Sequence, residues 1–480
     1  MKASFLCVVM ACQEQSSPES SQSTLQSPRV PVESSRPTEL EPQPRPFIFS
    51  IELKDRTSVD IITGEGEFNY SVDWDNDGTY DESSVQGPVS HDYKEPGTYT
   101  IRIRGQFPHM LARDYENIGD SNLCGMKVLQ WGDIQWKSMK RMFAWCGVVG
   151  PIFPDTDAPD LSHVTDMSFM FAVISEHLPF NPSFDSSSWR RPKTFDNVRL
   201  FNQPLNHWDV SNVTDMSFMF YQASAFNQPL NSWDVSNVTN MNSMFSDASV
   251  FNQPLNSWNT KNVITMGDMF NGAQDFNQPL DSWNVSHVTD MGSMFHSASV
   301  FNQPLNAWNT SKVTDMSGMF AHTKAFDQPL DSWDTSNVTD MSWMFHDAKS
   351  FNQPLNSWDV SHVTSMYWMF DGARAFNQPL DSWNVSHVTN MSRMFAYAES
   401  FNHPLDSWNV SHVTDMGWVF GASGIDTKNY DATLQGWAKQ LPMEPRTLSA
   451  EGLTYCKAAK ARQKLIDAGW VVYGDSKKCA

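Results

Sequence analysis

A phrase of 25 residues is repeated nine times without a gap, and this limits the folds that are open to the chain. The first copy begins at Phe201 with FNQPLNHWDVSNVTDMSFMF, and the ninth ends at residue 425. Periods of 20–50 residues are typical of proteins that stack one structural unit on the next, because a single unit cannot bury its apolar face. We therefore predict one continuous stack in which residues 25 apart lie above one another.

The spacing of apolar residues within a copy predicts a short helix followed by a short strand. Val213, Met216 and Phe220 are three and four residues apart, which is the spacing of one helix face. Residues 226–230 read as extended chain, because Pro229 fixes its own φ and has no N–H to donate. The predicted fold class is an α/β repeat solenoid, with a short helix and a short strand in each 25-residue rung.

The repeats are flanked by segments of different composition. Residues 1–12 resemble a lipoprotein signal peptide that ends at Cys12, the residue that would carry the lipid; a degenerate secretory signal is the alternative. The rest of the chain is predicted to comprise a disordered Ser/Pro/Glu tether at 13–46, a small β-sandwich at 47–106, degenerate repeats and an N-terminal cap at 107–200, the nine repeats at 201–425, and a C-terminal cap at 426–480.

Four cysteines remain if Cys12 carries lipid and Cys7 leaves with the signal. They form one close pair before the repeats and another after them. Because exported proteins commonly form disulfides, we predict the bonds Cys124–Cys146 and Cys456–Cys479, one at each end of the array. Four reduced, buried thiols are the alternative.

The charge of the chain argues against nucleic acid as a partner. The sequence has 33 Lys and Arg against 54 Asp and Glu, a formal charge of −21, whereas phosphate binding needs a dense basic face. The sequence also has no run of 18 apolar residues. Contact with a membrane is therefore expected through a lipid anchor only.

The repeated phrase FNQPLxxWxVSxVTxMxxMF resembles the BspA family of leucine-rich-repeat surface proteins, in the 25-residue variant of bacterial surface lipoproteins. The phrases VDWDNDGTYD and HDYKEPGTYTIRIRG resemble PKD-type, immunoglobulin-like modules. The resemblance implies a leucine-rich-repeat-like solenoid at a bacterial cell surface, lipid-anchored or secreted, that adheres to host or neighbouring-cell proteins or glycans. It implies no catalytic residues and no cofactor.

The repeats offer little that resembles a catalytic or metal site. Most polar residues recur from copy to copy, whereas an enzyme needs one unique constellation, so we expect no enzyme. The column His362, His387 and His412 is expected to be solvated, because stacked units hold equivalent residues too far apart to chelate. Asp73, Asp75 and Asp77 match the start of a calcium loop, but Ser84 stands where such a loop needs Glu, which favours a simple turn. No metal site is predicted.

One position of the repeat, equivalent to residue 218, varies in a way that suggests a binding surface. It carries Trp343, Trp368, Arg393 and Trp418 in the last four copies, with Tyr367 and Tyr397 nearby. Trp, Tyr and Arg dominate binding hot spots, so these six residues are the candidate ligand site; burial beneath the C-terminal cap is the alternative. The predicted function is non-catalytic adhesion or recognition, and the alternative is a structural spacer or coat lipoprotein without a specific ligand site.

Overall fold

The computed structural model describes residues 43–112, 123–144, 146, 150–173, 201–441 and 443–479. The predicted signal peptide, its lipidation site Cys12 and nearly all of the tether lie outside these residues. From Pro44 onward the described chain belongs to one compact unit.

In the described residues before the repeats, eight short strands form two antiparallel sheets. The strands are β1 (Phe47–Leu53), β2 (Ser58–Thr63), β3 (Asn69–Asp73), β4 (Glu82–Val85), β5 (Val89–Asp92), β6 (Gly97–Gln106), β7 (Met110–Leu111) and β8 (Lys127–Gln130), with a 3-10 helix at Leu123–Gly125. One sheet has the order β4-β3-β6-β1-β8 and the other β5-β2-β7. In β1, Phe47, Phe49 and Ile51 are buried at every second position, as expected for a strand with one face on the core.

The predicted helix and strand of each repeat are wrong. All of residues 201–425 are described, and they form turns joined by isolated parallel bridges such as Asp215 to Asn240. Two α-helices occur in the described residues, α1 (Thr427–Trp437) and α2 (Ala459–Asp467), and both follow the repeats. The structure therefore contradicts an α/β solenoid with a helix in every rung.

Tight turns, rather than a helix, produce the apolar spacing. The Met219 N–H donates to the Met216 carbonyl at 3.2 Å, and Phe218 between them has a φ of 57°. A left-handed third residue is the mark of a type II turn. A second such turn follows, in which the Ala223 N–H donates to the Phe220 carbonyl at 3.0 Å. Consecutive four-residue turns bury nearly the same positions as one helix face.

The main-chain bonds that a helix would make internally go to the next copy instead. The N–H groups of Met216, Phe218 and Phe220 donate to carbonyl groups of the following copy, at 3.0, 2.8 and 2.9 Å respectively. The same bonds recur from copy to copy, so each repeat satisfies the backbone of its neighbour. The backbone hydrogen bonds therefore enforce the 25-residue register.

Identical side chains stack through the core. The tryptophans from Trp208 to Trp408 are at most 3% exposed, and Trp308 and Trp333 lie parallel with ring centroids 6.3 Å apart. Each indole from Trp233 onward also donates its Nε1–H to a leucine carbonyl of the preceding copy, as Trp308 does to Leu280 at 3.0 Å. The tryptophan column is core, so its ring faces are not a glycan-binding stripe.

A ladder of asparagines satisfies the backbone at the FNQPL turn. The Asn277 Oδ1 accepts the main-chain N–H of Asn302 and the side-chain amide of Gln303, both at 2.9 Å. Asp327 replaces Asn in one copy and accepts the same two bonds from the next. An acceptor oxygen is therefore sufficient at this position, which explains why Asp is tolerated there.

Substitutions at Asn302 test this acceptor role. Asn302→Asp keeps both bonds, to Asp327 and Gln328, and we expect it to change the free energy of unfolding by less than about 0.5 kcal/mol. Asn302→Leu removes the acceptor from a main-chain N–H and an amide, and we expect a loss of about 1–3 kcal/mol. Urea denaturation curves of both variants give the comparison, and equal losses in the two would contradict the ladder.

The C-terminal cap takes the place of a tenth copy. In α1, Trp437 donates its Nε1–H to the Leu405 carbonyl at 3.0 Å, the bond that each tryptophan of the column makes from Trp233 onward. After α1 come the short strands β9 (Thr447–Ser449), β10 (Thr454–Tyr455), β11 (Val471–Tyr473) and β12 (Ser476–Lys477), in two parallel pairs. The C-terminal cap thus covers the last repeat with a different structure that supplies the same indole donor.

Both predicted disulfides are confirmed. Cys124 bonds to Cys146 beside the first repeats, and Cys456 bonds to Cys479 within the C-terminal cap. They close loops at the two ends of the array, where terminal units lack a neighbour on one side. No helix in the described part of the chain is long and apolar enough to cross a bilayer.

Candidate functional site

The repeat position that carries Trp343, Trp368, Arg393 and Trp418 is a left-handed backbone position in every copy. From Phe218 to Trp418 its φ lies between 53° and 62°. Left-handed φ costs a residue with a Cβ about 1–2 kcal/mol, and bulky side chains are rare there. In the middle copies the position holds Ser243, Asp268, Ser293 and Gly318. Trp343, Trp368, Arg393 and Trp418 are thus large side chains at a position where the backbone favours small ones.

The structure brings five of the six predicted residues into one contiguous row with ring contacts. Trp343 and Trp368 stack with centroids 4.5 Å apart, and the Arg393 guanidinium lies 4.0 Å from the centre of the Trp368 ring. Arg393 also lies 5.8 Å from the Tyr397 ring and 5.9 Å from the Trp418 ring. We call this row, with Tyr367, the aromatic–arginine patch.

The sixth residue, Tyr367, lies beside the row. Its ring meets that of Trp343 edge-on, with centroids 5.8 Å apart. Trp418 is 37% exposed and Tyr397 is 44% exposed, while the other four residues are half-buried. The C-terminal cap therefore leaves the patch accessible.

An ion pair fixes the cation at the centre of the patch. The Arg393 Nε donates to the Asp371 Oδ2 at 2.7 Å, and the Asp371 side chain is only 4% exposed. Burial raises the pKa of Asp371, although the bond from Arg393 works in the opposite direction. The guanidinium is thus held over Trp368 by a carboxylate beneath it.

Three histidines that the sequence analysis did not single out lie next to the patch. They are His296, His322 and His346, and the His346 ring lies 4.9 Å from Trp343 and 5.1 Å from Trp368, both edge-on. Burial lowers the pKa of His296 and of His346 to about 4, and it also lowers the pKa of His322. These imidazoles are therefore neutral at neutral pH.

The cluster escaped the sequence analysis because its members are not equivalent in the repeat. His296 and His346 occupy the position of residue 221, whereas His322 occupies that of residue 222. The sequence signal that could have revealed the cluster was a histidine in each of three successive copies, at two adjacent positions of the repeat that lie in turns in the structure. The histidine column considered from the sequence, which comprises His362, His387 and His412, is exposed.

The acidic turn between β3 and β4 is hydrogen-bonded to its own backbone. Asp73 accepts the N–H groups of Asp77 and Gly78, at 3.2 and 3.0 Å. Asp81 accepts the N–H of Trp74 at 2.9 Å. Ser84, where a calcium loop would place Glu, is exposed. These bonds agree with the turn interpretation.

The stacked copies and their capped ends define a disulfide-bonded repeat protein. A model of the family described as "Mycoplasma protein of unknown function, DUF285" matches the chain five times, at residues 137–248, 189–306, 253–341, 279–375 and 321–437. The matches overlap and span most of the chain, so the protein belongs to this family. Neither the curated proteins nor the solved structures contain a match.

Proposed function

We propose that the protein is a non-catalytic recognition protein of the bacterial cell surface that binds a protein partner through the aromatic–arginine patch. One observation carries the proposal. Large aromatic and cationic side chains occupy a left-handed backbone position in four consecutive copies, while four preceding copies use Ser, Asp or Gly there with the same φ. Since the fold accepts small residues at this position, the large ones serve another purpose.

The ring arrangement favours a protein over a glycan. Sugars stack on an open aromatic face, whereas Trp368 lies between Trp343 and the Arg393 guanidinium along the column. The accessible part of the patch is a mixed surface of Trp418, Tyr397 and the arginine. Trp, Tyr and Arg in one cluster are the composition of protein–protein hot spots.

The location is proposed from the chemistry of the ends of the chain. Disulfides are typical of proteins that leave the reducing cytoplasm, and both ends of the array carry one. With lipid on Cys12, the chain would be held at a membrane while the repeats face outward, in line with the BspA resemblance.

A binding screen with the full chain tests the function. We expect the wild-type protein to bind one or a few proteins on an array of cell-surface proteins and glycans. Because Arg393 is already paired with Asp371 and the rest of the patch is uncharged, binding should persist at 0.5 M salt, where exposed charge pairs are screened. Arg393→Gln should weaken it about tenfold or more, as expected for a central hot-spot arginine.

Other results of the screen would contradict the proposal. Binding to glycans alone would assign a different partner class to the patch. A screen without any binding partner would favour the structural spacer. So would partners whose binding Arg393→Gln leaves unchanged.

A further inference from the structure

The histidine cluster is the one place in the array where metal-ligand side chains from successive copies converge. His296, His322 and His346 come from the fourth, fifth and sixth copies, and no other copy has His at either of their two positions. The His322 ring lies 5.3 Å from His296 and 4.7 Å from His346, both pairs edge-on. The repeat therefore departs from its pattern three times in succession, at one location.

A carboxylate completes a set of three ligands. One ring nitrogen of His322, one of His346 and one carboxylate oxygen of Asp347 all lie within 4.8 Å of one another. Within the set, the His322 Nδ1 lies 3.4 Å from the Asp347 Oδ2. Two imidazoles and one carboxylate are a ligand set that zinc and similar divalent ions accept.

Hydrogen bonds orient the most buried ligand. The His346 Nδ1 lies 3.1 Å from the main-chain carbonyl of Asp371. A carbonyl oxygen only accepts, so Nδ1 carries the proton and Nε2 keeps its lone pair. A ligand histidine is commonly held this way, with its second nitrogen bonded to a carbonyl. His296 shares the arrangement, since its Nδ1 lies 3.1 Å from the Asn271 Oδ1.

We propose that His322, His346 and Asp347 bind a divalent transition-metal ion such as Zn²⁺, with water as the remaining ligand. Bonds of about 2.1 Å in a tetrahedron place ligand atoms about 3.4 Å apart, so the three atoms must move inward by about 1 Å. The side chains of His322 and Asp347 are 35% and 38% exposed and have room to move, while that of His346 is 10% exposed and fixed. No metal site was predicted from the sequence, because only histidines at equivalent positions of the repeat were compared.

The ion would link the fifth and sixth copies beside the patch. His322 belongs to the fifth copy, and His346 and Asp347 belong to the sixth. The carbonyl that orients His346 belongs to the seventh copy, which also supplies Trp368. A bound ion would therefore rigidify the copies that present Trp343 and Trp368. This inference does not depend on the proposed function, because the ligands are not members of the patch.

Titration of the metal-free full chain with Zn²⁺ tests the site. Isothermal titration calorimetry should show one saturable site that His346→Ala weakens at least ~100-fold, since losing even an outer partner of a zinc ligand costs 10–100-fold. Asp347→Asn keeps the side-chain shape and should weaken binding at least ~10-fold. Co²⁺ should give the visible absorption of a four-coordinate site, which both variants lose.

The exposed histidine column supplies the matched control. A variant with His362, His387 and His412 all changed to Gln removes three histidines elsewhere, and it should bind Zn²⁺ as the wild type does. The proposal is overturned if the wild type shows no saturable site, or if Asp347→Asn binds equally well. It is also overturned if the exposed-column variant loses the site instead. Thermal unfolding without metal verifies that each variant is folded.

Discussion

Changing Trp343, Trp368 and Trp418 together to Gly is expected to weaken partner binding at least ~100-fold. Hot-spot tryptophans typically contribute 2 kcal/mol or more each, and 1.4 kcal/mol corresponds to a factor of ten. Even with strong non-additivity, the loss of three such side chains exceeds two orders of magnitude. Surface plasmon resonance with a partner found in the array screen gives the measurement.

Glycine is the informative substitution because another copy already uses it. Gly318 occupies the same position with a φ of 61°. Each change removes ring contacts worth about 0.5–1.5 kcal/mol and relieves about 1–2 kcal/mol of left-handed strain. The relieved strain offsets part of the lost ring contacts and of the lost burial of these partly exposed side chains, so we expect the variant to fold and its loss of binding not to be a loss of folding.

Exposed apolar residues outside the patch provide the control. Ile264 and Val300 are 49% and 42% exposed and belong to copies without the aromatic residues. The double variant Ile264→Ser, Val300→Ser removes exposed apolar surface and should leave partner binding unchanged. Equal weakening by both sets of changes would show that general hydrophobicity, not the patch, binds the partner.

Trp308→Ala is expected to lower the free energy of unfolding by about 3–5 kcal/mol. Trp308 is 2% exposed, stacks on Trp333 and packs 6.4 Å from Phe295. Removing a buried aromatic ring leaves a cavity and loses its transfer energy. The change also leaves the Leu280 carbonyl without the indole N–H that it accepts. Urea unfolding monitored by circular dichroism gives the difference.

Two further variants separate the contributions of ring packing and of the indole hydrogen bond to this loss, and provide a control. Trp308→Phe keeps an aromatic ring but loses the bond to Leu280, so its cost should fall well below that of Trp308→Ala. Ala307→Ser changes the exposed neighbour to the residue most other copies carry, and the Ser282 hydroxyl in the equivalent place donates to Asn256. We expect Ala307→Ser to be neutral within about 0.5 kcal/mol. An unchanged stability in Trp308→Ala would show that the tryptophan column is not core.

The sequence predicted the register and the core of the array but not its secondary structure. Residues 25 apart do contact one another, as Trp308 and Trp333 show, because a period reports which residues stack. Inward-facing positions in consecutive type II turns are three or four residues apart, as on a helix. The apolar spacing therefore does not decide between the two structures.

A signal for turns was present in a few copies. Gly318 stands at one left-handed position, and Gly272 and Gly372 stand at the other, with φ values of 71° and 72°. Glycine inside a predicted helix argues against that helix. Every other copy has a residue with a side chain at the first position, including the large Trp343, Trp368, Arg393 and Trp418 of the candidate site, and these residues hid the signal.

The candidate site was predictable only in part, for a similar reason. Trp343, Trp368, Arg393 and Trp418 share one position of the repeat, so listing that position was enough to find them. The histidines and the Asp371 carboxylate beneath Arg393 come from neighbouring positions. Their convergence depends on how the turns place side chains of adjacent copies, which a one-dimensional pattern does not contain.

The thermal unfolding of the triple variant Trp343→Gly, Trp368→Gly, Trp418→Gly, measured without any partner, shows whether the left-handed column is a surface carried by the stack or part of what holds the stack together. We expect a midpoint within a few degrees of that of the wild type, and we expect the midpoint of Trp308→Ala to fall clearly below both. A midpoint of the triple variant as low as that of Trp308→Ala would place the column in the core and contradict the proposed binding surface.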